Sequence, residues 1–292
     1  MGIPGLLDDR ARGTSDAWRW FLRGWKPIQD HGVSLMRSIF LSHGAPTLPF
    51  EDVAARSFLR GLASEMPRPR AILAVSAHWE TRIPTTIAVS LNSTIHDFSG
   101  FPAELYDLAY PAPGAPELAA RVGDLLGDAG LSAAIDTKRG LDHGAWVPLM
   151  LAWPDADIPV VQLSVQSQLG PGHHLEVGRA LASLAKEDVL ILGSGSFTHD
   201  LSSWRKQAGM DEPSWVTEFA DWFDAALVEG RTCDLLSYRN LAPHAVRNHP
   251  TEEHLLPLYV ALGAAGPNAH VRRLHASNTY GVLRMDAYAF GD

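Results

Sequence analysis

Four histidines in this chain stand in contexts that could support metal or acid-base chemistry. They occur in Ser42-His43-Gly44, Ala77-His78-Trp79, Thr198-His199-Asp200 and Glu252-Glu253-His254. Imidazole is the commonest metal ligand in proteins, and it is the one side chain that titrates near neutral pH without help from its surroundings. Several histidines at the ends of core strands would therefore form a metal site with an acid-base partner.

Three of these histidines share one kind of placement. His43, His78 and His199 each closely follow an apolar run that is typical of a buried strand, and His254 stands at the start of a predicted helix. In open α/β sheets, ligands bind beyond the carboxyl ends of the strands. A single histidine is more often a polar residue satisfied by its neighbours, but that interpretation has to account for the same placement three times.

The sequence lacks the signatures of several other catalytic sites. It has no His-Glu-x-x-His segment and no cysteine pair for zinc. Ser194 and Ser196 break the spacing of a Gly-x-Ser-x-Gly nucleophile elbow, and the Gly-Ser run before His199 lacks the lysine of a phosphate-binding loop. We therefore interpret Gly193 and Gly195 as positions that another backbone approaches closely.

Strand and helix patterns alternate along the chain from about residue 38. The predicted strands cover 38–41, 71–75, 85–89, 158–165, 189–192 and 280–289, and the predicted helices cover 51–66, 115–126, 175–186, 215–228 and 254–262. Strands that are apolar throughout indicate a sheet covered by helices on both faces. The predicted fold class is α/β, a single domain with a mostly parallel central sheet flanked by helices on both faces.

Two predicted loops, 94–102 and 141–146, combine His96 and His143 with aromatic residues. Such loops suit the recognition of a phenol-like ligand, unless their aromatic side chains simply pack the loops onto the core. Trp79 has the same two interpretations, as one wall of a site for a planar substrate or as core packing.

The segment before His254 also has two interpretations. Thr251 is a predicted N-cap of the last helix, and acidic residues such as Glu253 are favourable in a first turn. Glu253 is at the same time a candidate carboxylate ligand for a metal.

Composition restricts the partners. The formal net charge of −9 and the pI near 5.8 argue against nucleic acid, because phosphate binding needs clustered Lys and Arg. The single cysteine, Cys233, excludes an intrachain disulfide and fits a reducing compartment. No apolar run approaches the length of a transmembrane helix. We predict a cytoplasmic protein that acts on small molecules, and the sequence leaves a homo-oligomer open.

The first residues read differently from the rest. A polar stretch is followed by closely spaced aromatic residues, Trp18, Trp20, Phe21 and Trp25. We predict an N-terminal extension over 1–36 and a catalytic domain over 37–292. The extension is interpreted as a poorly ordered segment, as sequence ahead of a native start at Met36, or as an amphipathic arm that covers a site or a neighbouring subunit.

Taken together, the motifs resemble those of the class III (LigB-type) extradiol ring-cleaving dioxygenases, in the branch typified by 4,5-DOPA extradiol dioxygenase. The likeness runs from about Ser38 to near the C-terminus. It rests on Ser42-His43-Gly44-Ala45-Pro46, Ser76-Ala77-His78-Trp79, His96-Asp97-Phe98-Ser99-Gly100-Phe101-Pro102, Tyr110-Pro111-Ala112-Pro113-Gly114, Asp142-His143-Gly144 with Trp146, His199-Asp200-Leu201, and Pro250-Thr251 followed by His254 and Pro257-Leu258. So many motifs in one order are specific for the family and less specific for the substrate.

The resemblance implies a role for each histidine. His43, His78 and His254 would bind the metal, His199 would be the acid-base residue beside it, and His143 would lie in the substrate pocket. We predict that His96 and Trp79 also line this pocket. Fe(II) is the expected ion, and Zn(II) could occupy the same site, since geometry and availability decide the metal as much as affinity does.

The reaction that the resemblance implies is ring opening of a catechol by O₂ to a muconic semialdehyde. Wider class III enzymes use a Glu as the third ligand, whereas this chain has His254 at the corresponding place, with Glu253 beside it. One rival function is a zinc hydrolase that uses the same histidines without O₂ uptake. Another is a non-enzymatic binding protein on the same scaffold.

Overall fold

The computed structural model describes residues 36–203 and 211–291. Within them, eight strands form one sheet and two more form a small hairpin. The strands are β1 (Met36–Ser42), β2 (Ala71–Glu80), β3 (Thr85–Ile87), β4 (Ala134–Asp136), β5 (Val160–Val165), β6 (Val189–Gly195), β7 (His270–His275), β8 (Asn278–Thr279), β9 (Leu283–Arg284) and β10 (Ala287–Gly291). The large sheet has the order β4-β3-β5-β2-β6-β1-β10-β7, and β8 pairs with β9.

The four central strands, β5, β2, β6 and β1, are parallel to one another. Their carboxyl ends therefore meet at one edge of the sheet, where Ser42 pairs with Gly195 and Ser76 pairs with Ser194. Antiparallel pairs flank this centre, because β10 joins β1, β7 joins β10, and β3 joins β5. Every residue of β5 and β6 is buried, as expected for strands that are covered on both faces.

Helices cover the sheet. They are α1 (Ala54–Gly61), α2 (Pro116–Asp128), α3 (His143–Ala152), α4 (Gly170–Leu181), α5 (Ser214–Val228), α6 (Thr232–Leu236), α7 (Tyr238–Leu241), α8 (Ala245–Asn248) and α9 (Leu256–Ala265). Helix α9 packs on α4 and on strands β6 and β1, whereas α3 packs on α1 and β2. The predicted fold class, a single α/β domain with a mostly parallel central sheet flanked by helices, is confirmed.

One predicted loop is a helix. Residues 141–146 lead into α3, in which Asp142 is the N-cap and its side chain accepts a hydrogen bond from the backbone N–H of Ala145. This helix is buried on nearly every side, so it has no polar face from which a helical period could be recognised. Gly144 and Pro148 are residue types that usually interrupt a helix, although both lie inside this one.

Two predictions near the C-terminus are wrong in detail. The last helix begins at Leu256, not at His254, and its N-cap is Leu255, while the Thr251 hydroxyl donates to Glu253 instead. The predicted strand 280–289 is divided between β9 and β10. Strand β7 carries no apolar run because it lies at the exposed edge of the sheet, so its sequence gave no signal.

The predicted extension over 1–36 lies outside the described residues except for Met36, which begins β1. Its division from a domain over 37–292 therefore stays a prediction. Among the helices of the described residues, none has both the length and the apolar character that a bilayer crossing requires.

Candidate metal centre

His43, His78 and His254 lie together at the carboxyl edge of the central strands. His43 directly follows β1, His78 lies two residues before the end of β2, and His254 lies two residues before α9. The Nε2 atom of His78 is 3.0 Å from Nε2 of His43 and 3.3 Å from Nε2 of His254. A ligand atom from each of the three imidazoles lies within 4.8 Å of the others.

Backbone packing brings His254 to this edge. The backbone N–H of Ser196 donates to the carbonyl oxygen of His254 at 2.9 Å. A Cβ atom at Gly195 would stand only 3.0 Å from the carbonyl carbon of His254, and closer still to its oxygen, so a side chain there would push the segment away. Gly193 allows the same close approach to Pro257. Both glycines thus serve the close backbone contact that the sequence predicted.

Hydrogen bonds behind two of these rings decide which nitrogen faces inward. Nδ1 of His43 lies 3.1 Å from Oγ of Ser194, and that hydroxyl already donates to the carbonyl of Gly144, so it accepts from the ring. Nδ1 of His254 lies 2.9 Å from a carboxylate oxygen of Glu253, which is also an acceptor. In both rings the proton is therefore on Nδ1, and the bare Nε2 lone pair points toward His78.

This donor set fits a metal ion. Two nitrogen ligands about 2.1 Å from one ion, at angles between tetrahedral and octahedral values, lie about 3.0–3.4 Å apart. The two distances to His78, 3.0 Å and 3.3 Å, fall within that range. Without a cation, the single ring proton that His78 could place on Nε2 cannot satisfy two facing lone pairs. A cation among the three nitrogens satisfies all of them.

Burial keeps these imidazoles neutral, which is the form that binds a metal. The pKa of His43 and that of His254 are both lowered well below the usual histidine value, first by burial and then by the neighbouring histidines. Burial, followed by the proximity of His143, lowers the pKa of His78 to about 4. The cluster is therefore uncharged near neutral pH.

His199 stands against this cluster without belonging to the three. Its ring stacks on that of His254 with centroids 3.4 Å apart and planes 16° apart. Its backbone N–H donates to the Asn248 carbonyl at 2.8 Å, and the ring of His249 donates to the Phe197 carbonyl at 3.0 Å, so the turn carrying His199 is fixed from one side. Burial, and then His249, lower the pKa of His199 to about 3, which leaves the ring neutral with a lone pair that can take a proton.

His143 completes a group of five histidines at the site. It is the first residue of α3, and its ring centroid lies 3.9 Å from that of His78 and 5.5 Å from that of His43. Its Nδ1 atom lies 2.9 Å from a carboxylate oxygen of Asp97. His143 therefore borders the metal cluster and has Nε2 as its remaining ring nitrogen.

His96 and Trp79 are placed differently. His96 donates from Nε2 to the Leu108 carbonyl at 3.0 Å and contacts the rings of Phe98, Tyr106 and Trp146. Trp79 is 7% exposed and lies under the guanidinium of Arg139, 4.8 Å from the ring centroid. Both residues pack the surroundings of the site, and Phe98 links the His96 group to His143 with a centroid distance of 5.7 Å.

Several residues that hold the site could not be recognised as functional from their sequence context. Asp142 is fully buried and accepts hydrogen bonds from the Ser76 hydroxyl at 2.6 Å and from Arg139 at 3.1 Å, which ties the start of α3 to β2. Ser194 and Asp97 orient His43 and His143. A Ser, a loop Asp and an N-cap Asp are each common for local reasons, so only the fold shows that they share one site.

A family profile described as the catalytic LigB subunit of aromatic ring-opening dioxygenase matches residues 38–290. The chain is 45% identical over 261 residues to the 4,5-DOPA dioxygenase extradiol of Beta vulgaris, covering 88% of this chain and 97% of that protein. It is 40% identical over 232 residues to the 4,5-DOPA dioxygenase extradiol of Escherichia coli (strain K12), covering 78% of this chain and 85% of that protein.

The fold is also found in a solved structure. The crystal structure of an uncharacterized protein from Escherichia coli K12 superposes with a TM-score of 0.72 at 32% identity, covering 87% of this chain and 99% of that chain. The family predicted from the motifs is therefore confirmed. Neither a zinc hydrolase nor a non-enzymatic binding protein is needed to explain the histidine site. The chain belongs to the LigB family of aromatic ring-opening dioxygenases and is an extradiol ring-cleaving dioxygenase.

Proposed function

We propose that this enzyme opens the ring of a catechol, DOPA-like or related, with O₂ and a non-haem Fe(II) ion held by His43, His78 and His254, to give a muconic semialdehyde. The observation that carries the proposal is the convergence of the three imidazoles, in which Nε2 of His78 lies at distances from Nε2 of His43 and of His254 that suit one shared ion. The substrate class is supported by relatives such as the 4,5-DOPA dioxygenase extradiol of Beta vulgaris.

The choice of His254 over Glu253 as third ligand is supported by the hydrogen bond between them. The Glu253 carboxylate lies behind the ring, at Nδ1, and leaves Nε2 of His254 toward the cluster. Carboxylates that accept from a ligating histidine in this way orient the ring and raise its basicity. Glu253 therefore acts through His254 in this proposal.

An Fe(II) ion held by His43, His78 and His254 would bind the catechol and O₂ and would lower the pKa of the bound phenol. The protein supplies the proton acceptor. His199 is neutral, partly buried and adjacent to His254, so its free ring nitrogen can take a phenolic proton and return it later in the reaction. Burial of the site also excludes water, which strengthens each of these interactions.

His143 is the residue that we propose to contact the substrate directly, because it borders the cluster and has a ring nitrogen left for a ligand. His96 and Trp79 are proposed to shape the same pocket. Their packing on Phe98 and Arg139 supports a role in holding its walls. We further propose that the enzyme acts in the cytoplasm, in the breakdown of aromatic compounds, as the single cysteine and the reaction class suggest.

The test is O₂ consumption by protein loaded with Fe(II) under anaerobic conditions and then mixed with aerated catechols, DOPA among them. We expect one O₂ consumed per catechol and the growth of a yellow product. The same protein loaded with Zn(II) is expected to be inactive. His254→Ala should abolish uptake, whereas His244→Ala, at a half-exposed histidine paired with Glu218, should not change it. No uptake with any catechol, or hydrolysis by the zinc form, would contradict the proposal.

A further inference from the structure

The Asp97 carboxylate is placed between two histidines of the site. One of its oxygens accepts the backbone N–H of His143 at 2.9 Å, and the other lies 2.9 Å from Nδ1 of the same residue. The second oxygen is also 3.7 Å from Nδ1 of His78, which is too long for a hydrogen bond. Asp97 therefore forms two hydrogen bonds with His143 and none with His78.

This two-point contact fixes both the rotation and the protonation pattern of the ring. A carboxylate can only accept, so the proton of a neutral His143 must be on Nδ1 and its lone pair on Nε2. Because Nδ1 lies 2.9 Å from the carboxylate, the ring cannot turn without breaking that hydrogen bond, while the second hydrogen bond fixes the backbone of the same residue. The side chain of His143 is 8% exposed and lies against His78, which leaves the ring little freedom.

The carboxylate is ionised throughout the physiological range. Burial acts to raise the pKa of Asp97, but the hydrogen bonds from His143 and the proximity of the His143 and His78 rings outweigh it and lower the pKa to about 2. Charge-assisted hydrogen bonds of this kind are roughly twice as strong as neutral ones. Charge-assisted hydrogen bonds from Asp97 thus hold its loop against His143 at the start of α3.

We propose that Asp97 is a positioning residue that holds His143 in its Nδ1–H form, so that Nε2 accepts a hydrogen bond from a hydroxyl group of the bound catechol. This inference rests on the proposed function for the identity of the ligand. The position of the ring proton on His143 does not depend on the proposed function, because it follows from the contacts with Asp97.

The first test uses metal-free protein with ¹⁵N-labelled histidine, in which NMR distinguishes Nδ1–H from Nε2–H rings. We expect His143, assigned by its loss in His143→Gln, to be in the Nδ1–H form. In Asp97→Ala the Nε2–H form should appear, and in Asp97→Glu, which retains an acceptor, the Nδ1–H form should largely return. An Nε2–H ring in the unmodified protein, or no change in Asp97→Ala, would overturn the inference whether or not the enzyme cleaves catechols.

The second test separates positioning from a merely structural role. In Fe(II)-loaded Asp97→Ala, we expect KM for the catechol to rise about 10-fold or more, kcat to change less, and the bound metal per folded protein to stay the same. Asp157→Ala, which removes a half-exposed carboxylate paired with Arg68, is the matched control and should leave KM unchanged. A lower kcat with an unchanged KM would mean that Asp97 only maintains the folded fraction, and would refute the inference.

Discussion

Gly144 is a residue at which a single added methyl group should disturb the candidate metal site. It is the second residue of α3, and a Cβ atom built there would meet Oγ of Ser76 first, and would lie 2.9 Å from Cδ2 of His78 and 3.3 Å from Cε1 of His43. Carbon atoms pack at about 3.5–4.0 Å, so the His78 ring would have to move by about 0.6–1.1 Å. Metal sites tolerate about 0.2 Å in ligand distance. We therefore expect Gly144→Ala to lower metal affinity at least 10-fold, or about 1.4 kcal/mol.

The assay is a competition titration with a chromophoric chelator, together with urea unfolding of the metal-free protein. Overpacking in Gly144→Ala should cost about 1–3 kcal/mol of unfolding free energy. The matched control is Gly123→Ala in α2, where no atom lies within 4 Å of the added Cβ. There the better helix former should raise stability by about 0.5–1 kcal/mol and leave metal affinity unchanged. If Gly144→Ala bound metal as tightly as the unmodified protein, the assignment of His43 and His78 as ligands would be refuted.

Three further predictions address other parts of the structure. His199→Ala should cut turnover by about 10²–10⁴-fold while the metal stays bound, and normal turnover by anaerobically loaded protein would exclude His199 as the proton acceptor. Glu253→Gln should weaken metal binding by about 10–100-fold through its effect on His254, whereas complete loss of the metal would indicate that the carboxylate is itself a ligand. The buried His174 donates to Gly170 and accepts from the Gln166 backbone, and burial lowers its pKa to about 4. Because the unfolded chain binds this proton below about pH 6.5 and the folded chain only below about 4, this histidine should lower stability by about 3 kcal/mol as the pH falls through that interval. The other buried histidines add to the same loss, so His174→Gln should make the fall in urea-unfolding free energy smaller by about that amount, and an unchanged pH dependence would contradict the reasoning.

The sequence was sufficient to predict the central strands of the sheet and the place of the site because both depend on local apolar runs. Strands such as β2 and β6 begin with uninterrupted apolar segments, 71–75 and 189–192, and histidines near their carboxyl ends must meet at one edge once the strands are parallel. Helix α3 could not be predicted in this way, because a helix buried on nearly every side shows no amphipathic period in its sequence. Strand β7 escaped prediction for the opposite reason, as its exposed edge position demands no apolar residues.

The partners of the histidines were beyond sequence reasoning for a different physical reason. Asp97 stands 46 positions before His143, and Ser194 stands 151 positions after His43. Nothing local to these residues distinguishes an acceptor for a distant imidazole from a residue that caps a turn. The sequence around Glu253 and His254 could not show which of them is the third metal ligand, because the answer depends on which ring nitrogen of His254 faces the cluster.

The central claim is that one metal ion is bound by Nε2 of His43, His78 and His254. The most direct measurement is a crystal structure of protein loaded anaerobically with Fe(II), with anomalous diffraction recorded at the iron edge. We expect a single strong anomalous peak about 2.1 Å from the three Nε2 atoms, with Glu253 at Nδ1 of His254 and not at the metal. A peak coordinated by the Glu253 carboxylate, or one located away from these three histidines, would contradict it.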